Sequence, residues 1–258
     1  MTTATSAPIL EARGLVRSFG AVRALNGADF EVYPGEVVGL IGDNGAGKST
    51  MVKAMSGNLA LDEGAILFDG RQVDLSSPNV ASKLGIETVF QDLALAPHLT
   101  PAQNMFLGRE LPARGALGKF GFLDNKTMRA RSKKAFDELG ATIRSYSDPV
   151  GRMSGGQRQA VAIARAVAWA KGVVFLDEPT AALGVVQTKA VLETIRKVRD
   201  QGVGVVFISH SMPHVLEVCD RVQVLRLGAR VATFRANNTT VEELVGAMTG
   251  ALDMGATR

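Results

Sequence analysis

Short apolar runs broken by turn residues open the chain. Residues 9–12 and 28–33 are two such runs, the second stopped by Pro34-Gly35. Residues 37–41 form a third, followed by a glycine-rich stretch and the helix-like segment 51–57. Residues 64–75 predict a hairpin turning at Asp69-Gly70. A short strand at 86–90 ends at Gln91. The period then changes. Thr100-Pro101 caps and opens a helix that reaches about Gly108. Residues 111–123 are glycine-rich and loop-like, and Asp124 caps a helix over 125–139 closed by Gly140. Ser154 opens a third helix, which runs through Val161, Ala164 and Ala168 to Lys171 and stops at Gly172. Apolar runs at 173–176 and 203–208 flank a helix at 186–200. They end on Asp177-Glu178 and Ser209-His210. Strands at 221–227 and 229–234 precede a capping box, Thr240-Val241-Glu242-Glu243, for a last helix. Late alternation of strand and helix predicts an α/β core with a parallel sheet. The early strands predict an antiparallel β subdomain, and the helical block an insertion.

The first chemical signal sits where the run 37–41 ends. Gly42-Asp43-Asn44-Gly45-Ala46-Gly47-Lys48-Ser49-Thr50 has the spacing GxxxxGK[ST] between a strand and a helix. Glycines let the backbone turn tightly and aim successive N–H groups at phosphate oxygens. The helix start adds the positive end of its dipole. Lys48 can reach β- and γ-phosphates, and the Ser49 hydroxyl can ligate Mg²⁺. Nucleotide binding is the expectation.

Two further stretches refine it. Asp177, at the end of an apolar strand, is placed to hold a Mg²⁺ shell, and Glu178 to orient and deprotonate an attacking water. Ser154-Gly155-Gly156-Gln157 starts a helix with bare N–H groups and a hydroxyl. It reads either as a simple helix cap or as a second anion site. Two phosphate-seeking helix ends in one chain suit nucleotides shared between two chains.

Composition excludes other classes. The 258 residues are 46% apolar and 21% charged, enough for one sizeable core. No apolar run approaches the roughly 18–20 residues of a membrane span. The first eight residues have neither a basic nor an apolar signal region and read as a tail. The single cysteine, Cys219, rules out an internal disulfide and suits a reducing compartment. Net charge is only +4, but residues 109–144 hold nine Lys/Arg against four acids. This is a solvated helix face or a surface near anionic lipid or nucleic acid, and no aromatic interleaving supports nucleic acid.

The ordered set GDNGAGKST, Gln91, SGGQRQ, VVFLDEPT and His210 resembles the motifs of the ATP-binding cassette (ABC) ATPases. Taken singly, Phe19 reads as a core aromatic, Gln91 as a polar loop residue and His210 as a strand-end histidine. By the resemblance, Phe19 stacks on adenine, Gln91 touches the metal or water and faces a membrane partner, and His210 contacts the γ-phosphate. His98 and His214 match no such role and read as structural. Residues 91–97 and 104–110, with Thr180-Ala181-Ala182-Leu183-Gly184 and 212–215, are similar to carbohydrate-uptake ATPases of the fructose and ribose type. Many ribose-type relatives carry two cassettes in one chain; this sequence carries one. Three residues depart from the family pattern. Phe19 replaces the commoner tyrosine, Met153 replaces leucine, and Gly184 stands where most relatives have aspartate.

The resemblance implies a P-loop NTPase fold and one ABC ATPase domain over 9–250. Its core is about 9–91 and 172–250, its helical subdomain about 92–171, with tails 1–8 and 251–258. It implies ATP and Mg²⁺, and a head-to-tail dimer with a second ATPase subunit in which Ser154-Gly155-Gly156 faces the partner's nucleotide. It further implies integral-membrane permease subunits, a periplasmic or extracellular sugar-binding protein, and a place on the cytoplasmic face of the membrane, held by the permease. Nucleic acid is not an expected partner. The rival is a non-transport ABC ATPase of DNA repair or translation. Such proteins tend to carry a long coiled-coil insertion or tandem cassettes, and neither is in the sequence. A GTPase would want Asn-Lys-x-Asp; the nearest string, Asn125-Lys126-Thr127-Met128, lacks the aspartate.

Overall fold

A computed structural model describes residues 7–141, 143–181 and 183–251. The expected tails fall largely outside these residues, as does Ala182.

The chain runs β1 (Leu10–Phe19), β2 (Val22–Val32), β3 (Val37–Ile41), α1 (Lys48–Met55), β4 (Glu63–Phe68), β5 (Arg71–Val73), α2 (Pro78–Leu84) and β6 (Ile86–Val89). There follow α3 (Pro101–Phe106), α4 (Ala116–Lys119), α5 (Asn125–Leu139), α6 (Gly155–Trp169), β7 (Val173–Asp177), α7 (Val185–Asp200) and β8 (Gly204–Ile208). Last come α8 (Met212–Val218), β9 (Arg221–Arg226), β10 (Ala229–Arg235) and α9 (Val241–Thr249). One sheet has the order β10-β9-β3-β8-β7-β6, the other β2-β1-β4-β5. In the six-stranded sheet every pairing is parallel except β10 on β9. The four-stranded sheet is antiparallel throughout. No helix among the described residues is long and apolar enough to cross a membrane.

The apolar strands have their character because both faces of the parallel sheet are covered. Alternate residues separate cleanly between two cores. Val37 and Ile41 of β3, Val174 and Leu176 of β7, and Val205 and Phe207 of β8 face the core shared with α3, α5 and α6. Val38 and Leu40, Val173 and Phe175, and Val206 and Ile208 face the core shared with α1 and the antiparallel sheet. Arg221 ties the two sheets together, bonding Glu31 on β2 at 3.1 Å and Glu36 just before β3 at 2.5 Å.

Several elements differ from expectation. β1 and β2 are longer than the runs at 9–12 and 28–33, because register shifts after Ala12, Leu15 and Arg17 interrupt the alternation. α2 and α8 were not foreseen; each is only seven residues long, with proline first in α2 and second in α8. The stretch 111–123 holds one helical turn, α4, and α3 ends at Phe106, short of Gly108. The hairpin at Asp69-Gly70 has φ of 50° and 72°, the pair of positive values that a two-residue type I′ turn demands. Asp124 caps α5 by accepting from Thr127 N, and Thr240 forms a capping box with Glu243.

Candidate active site

The loop between β3 and α1 is held from beneath by main-chain bonds. Ala46 N donates to Asp43 O at 3.0 Å, and Gly228 N donates to Ala46 O at 3.1 Å. Two glycines are required by close approach. A Cβ on Gly42 would lie 2.3 Å from Leu225 O. One on Gly47 would lie 2.6 Å from Ala24 O, and Gly47 has φ 102°. Gly47 caps α1 without a side-chain hydrogen bond, so the N–H groups of the first turn point at the site.

Gly42, Asp43, Asn44, Lys48, Ser49, Gln91, Asp177, Glu178, Ile208, His210 and Met248 surround a cavity of about 570 Å³. The parallel sheet assembles it: β3, β6, β7 and β8 all end here, at the carboxyl ends of neighbouring strands. Lys48 Nζ donates to Gly42 O at 2.6 Å and to Asp43 O at 3.0 Å. Burial pushes its ammonium below its ordinary pKa, against the opposing pull of Glu178, Asp43 and Asp177.

Glu178 is the strained residue of the site. Its φ of 50° costs about 1–2 kcal/mol for a residue with a Cβ. Its N–H is fixed to Ile208 O at 2.9 Å. Its carboxylate is fixed too: Oε1 accepts from His210 N at 3.0 Å and lies 2.8 Å from His210 Nδ1, while Ser209 Oγ donates to Oε2 at 3.4 Å. The carboxylate can only accept, so Nδ1 carries the hydrogen. A neutral ring then presents Nε2 as an acceptor, and only the imidazolium donates on both sides. The Glu178 side chain is 16% exposed and that of His210 79%, so the pair sits at the cavity mouth with the histidine outermost.

Asp177 lies deeper. Burial, then the adjacent charge of Glu178, holds its carboxyl above the ordinary value, while Lys48 pulls the other way. A carboxyl raised in this way contributes stability that is full below the ordinary carboxylate range and lost as pH rises through the folded value. At neutral pH the ionised group therefore works against the fold. Asp177→Asn is expected to raise the unfolding midpoint of the protein alone, by no more than about 3 °C. The gain should vanish in acid, where Asp177 is itself protonated. Calorimetry of both proteins across pH checks this; a lowered midpoint at neutral pH would refute it.

The donor set suits a phosphate-bound hard cation. Ser49, Gln91 and Asp177 offer oxygen only, and the described residues contain no group of three His, Cys, Asp or Glu able to hold a metal by themselves. Such a cation takes the rest of its shell from phosphate and water, as Mg²⁺ does.

Phe19 and Thr50 do not line this cavity. Phe19 ends β1 and is 49% exposed, and the Arg17 guanidinium covers one face of its ring at 5.1 Å. One face is left for a planar ligand. Ser154, Gly156 and Gln157 lie elsewhere, on a separate cavity between α6 and α7 with Gln187 and Val186. Ser154 Oγ accepts from Gln157 N, and Gln157 Oε1 accepts from Ser154 N, both at 3.3 Å. The serine thus caps its helix through an oxygen lone pair, a bond that does not use its hydroxyl hydrogen. Met153 is buried in the core of α3, α5 and α6, so methionine replaces leucine there without a polar change. Gly184 caps α7 without a side-chain bond, and Val185 beside it is 88% exposed. His214 Nδ1 lies 3.2 Å from Thr180 Oγ1, a link between α8 and the turn after Glu178.

Ser209, Ile208 and Met248 were not among the expected site residues. Position at the end of an apolar strand was a signal for the first two. Nothing in the sequence marks Met248, which arrives from the C-terminal helix α9.

The sequence pattern described as ABC transporter matches residues 25–181. The chain is 51% identical over 246 residues to the fructose import ATP-binding protein FrcA of Rhizobium meliloti, with 95% of each chain covered. It is 44% identical over 254 residues to the xylose/arabinose import ATP-binding protein XylG of Sulfolobus acidocaldarius, covering 97% of this chain and 99% of that one. Its fold is similar to the ADP conformation of MJ1267, an ATP-binding cassette of an ABC transporter, with TM-score 0.78, 26% identity and 95% and 96% of the two chains covered. With the phosphate loop, the strand-end carboxylates and these relatives in agreement, the chain belongs to the ABC transporter family, as one of its ATPases.

Proposed function

We propose that this ATPase drives uptake of a monosaccharide through separate permease subunits, from the cytoplasmic face of the membrane. The observation that carries the chemistry is the convergence of Lys48, Asp177, Glu178, Gln91 and His210 on one cavity at the strand ends. Kinship to two sugar-import ATP-binding proteins over nearly the whole chain supports the cargo class and speaks against a role in DNA repair or translation. The domain spans 9–250, with 92–171 as a helical subdomain leaving the sheet after β6 and returning at its neighbour β7. Permease subunits, a second copy of this chain and an extracytoplasmic sugar-binding protein complete the system.

In this reading the backbone N–H groups of 42–47 and Lys48 hold the β- and γ-phosphates. Ser49, Asp177 and Gln91 hold the Mg²⁺ shell, and the cation supplies charge neutralisation on the leaving and transferring oxygens. Glu178, held by two contacts on Oε1 and by Ser209 Oγ on Oε2, has a further lone pair on Oε2 for a water and accepts its proton. His210 contacts the γ-phosphate while its Nδ1–H steadies Glu178. Phe19 stacks adenine on the ring face opposite Arg17. Ser154, Gly155, Gly156 and Gln157 present their helix end to the nucleotide of the partner chain, head to tail.

Lys48→Ala removes a charge from a partly desolvated phosphate site, and its ATP affinity is expected to fall by about tenfold or more. Equal binding of a fluorescent ATP analogue to mutant and wild type would overturn the cradle. The transport reading is tested by uptake of labelled fructose, ribose and xylose in cells lacking this chain. Loss for one monosaccharide, restored by the wild-type chain but not by Lys48→Ala, is expected; unchanged uptake of all would overturn it.

A further inference from the structure

Two consecutive non-glycine residues beyond β6 adopt left-handed backbone, Leu93 with φ 62° and Ala94 with φ 43°. Each disfavours that conformation, so something must hold the turn. Leu93 N donates to Phe90 O at 2.8 Å. The other tie comes from far along the chain. Arg165, in the last third of α6, donates from NH1 to Ala94 O at 2.7 Å and from NH2 to Leu93 O at 2.9 Å. A planar guanidinium matches two successive carbonyls as no other side chain does. Its neighbouring carboxylate, Glu87, is already bonded by Arg109 at 2.8 Å. The Arg165 fork is thus directed at a strained turn, two residues past Gln91.

We propose that Arg165 is the positioning residue for Gln91, clamping the Leu93–Ala94 turn so that the Gln91 side chain enters the phosphate cavity. This rests on the role given to Gln91 above. Leu93 and Leu95 already pack on the core shared by the helices and the sheet, so apolar burial alone seats this segment. Arg165 fixes its direction. The same side chain lines a cleft of about 190 Å³ with Glu87, Arg109, Met105 and Trp169. Whatever enters that cleft meets the stem of Arg165, and through its fork the turn and Gln91. The N-cap of α6 is Ser154, eleven residues earlier, about 16 Å along a rigid helix. Arg165 thus joins the helix whose start faces a partner nucleotide to the loop that serves its own.

The test compares steady-state ATP hydrolysis by Gln91→Ala, Arg165→Gln and Arg165→Lys with wild type. Arg165→Gln is expected to lower kcat by about tenfold, to leave KM within about twofold, and to raise the Mg²⁺ concentration needed for half-maximal rate, as Gln91→Ala does. Arg165→Lys keeps the charge but satisfies one carbonyl only, and should fall between; it carries the test if Arg165→Gln does not fold. Ala94→Gly removes a φ penalty and should return part of the lost kcat in the Arg165→Gln background, which a purely structural arginine would not permit. The proposal is overturned if folded Arg165 variants keep wild-type kcat and Mg²⁺ dependence, or if KM rises by the factor that kcat falls. If Gln91→Ala itself is unchanged in both readouts, the role of Gln91 has failed, and the clamp falls with it for that separate reason.

Discussion

Glu178→Gln should bind ATP as wild type does and hydrolyse it about 10²–10⁴ times more slowly. The substitution preserves what the structure shows to be geometric. The amide oxygen can still accept from His210 N and Nδ1, and the residue can keep its strained φ, because neither depends on charge. What it removes is the capacity to take a proton. Lys48, the loop N–H groups and Ser49 are untouched, so affinity has no reason to fall. With hydrolysis stalled, two copies holding ATP between them should stay together, and sizing the mutant with ATP and Mg²⁺ should show a dimer. Wild-type turnover would remove Glu178 from the mechanism. A loss of ATP affinity matching the loss of rate would instead make Glu178 a binding residue.

Ser154→Arg is expected to leave ATP binding by the single chain nearly intact and to lower hydrolysis by about 10²-fold or more. The structure sharpens this in two ways. Ser154 lines none of the cavity that holds Lys48. It does cap α6, so its loss should lower stability by about 1 kcal/mol, a cost that a melting curve reads separately from activity. Mixing this mutant with Lys48→Ala gives one composite site with both defects and one with neither, and recovery of some hydrolysis is expected. If Ser154→Arg loses ATP affinity as badly as Lys48→Ala, the serine acts within its own chain and the head-to-tail arrangement fails.

Local chemistry was legible and contact between distant segments was not. The Asp69-Gly70 turn, the Asp124 cap and the Thr240 box were readable because each is decided by residues within four positions. The parallel strands were readable because burial on both faces leaves an unbroken apolar run. The true length of β1 and β2 was hidden by bulges that break the period, and α2 and α8 by their seven-residue span. In the site, Lys48, Asp177 and Glu178 are marked by their own neighbours in sequence. That His210 rests on Glu178, 32 residues away, and that Met248 closes the cavity, follow only from how the sheet and α9 pack. The same is true of Arg165 and the turn it holds.

The buried core beneath α3, α5 and α6 bears on how the molecule moves. Met105, Phe106, Phe136, Val150 and Met153 belong to one continuous cluster with Val174, Leu176, Val205 and Phe207 of the sheet. No apolar seam separates the helices from the strands in this cluster. A hinge, with two blocks swinging as separate bodies, would have to open that cluster to water. Sliding of interlocked side chains past one another does not, but it limits each step to small displacements. The helix that carries both Ser154 and Arg165 is therefore built to shift by shear.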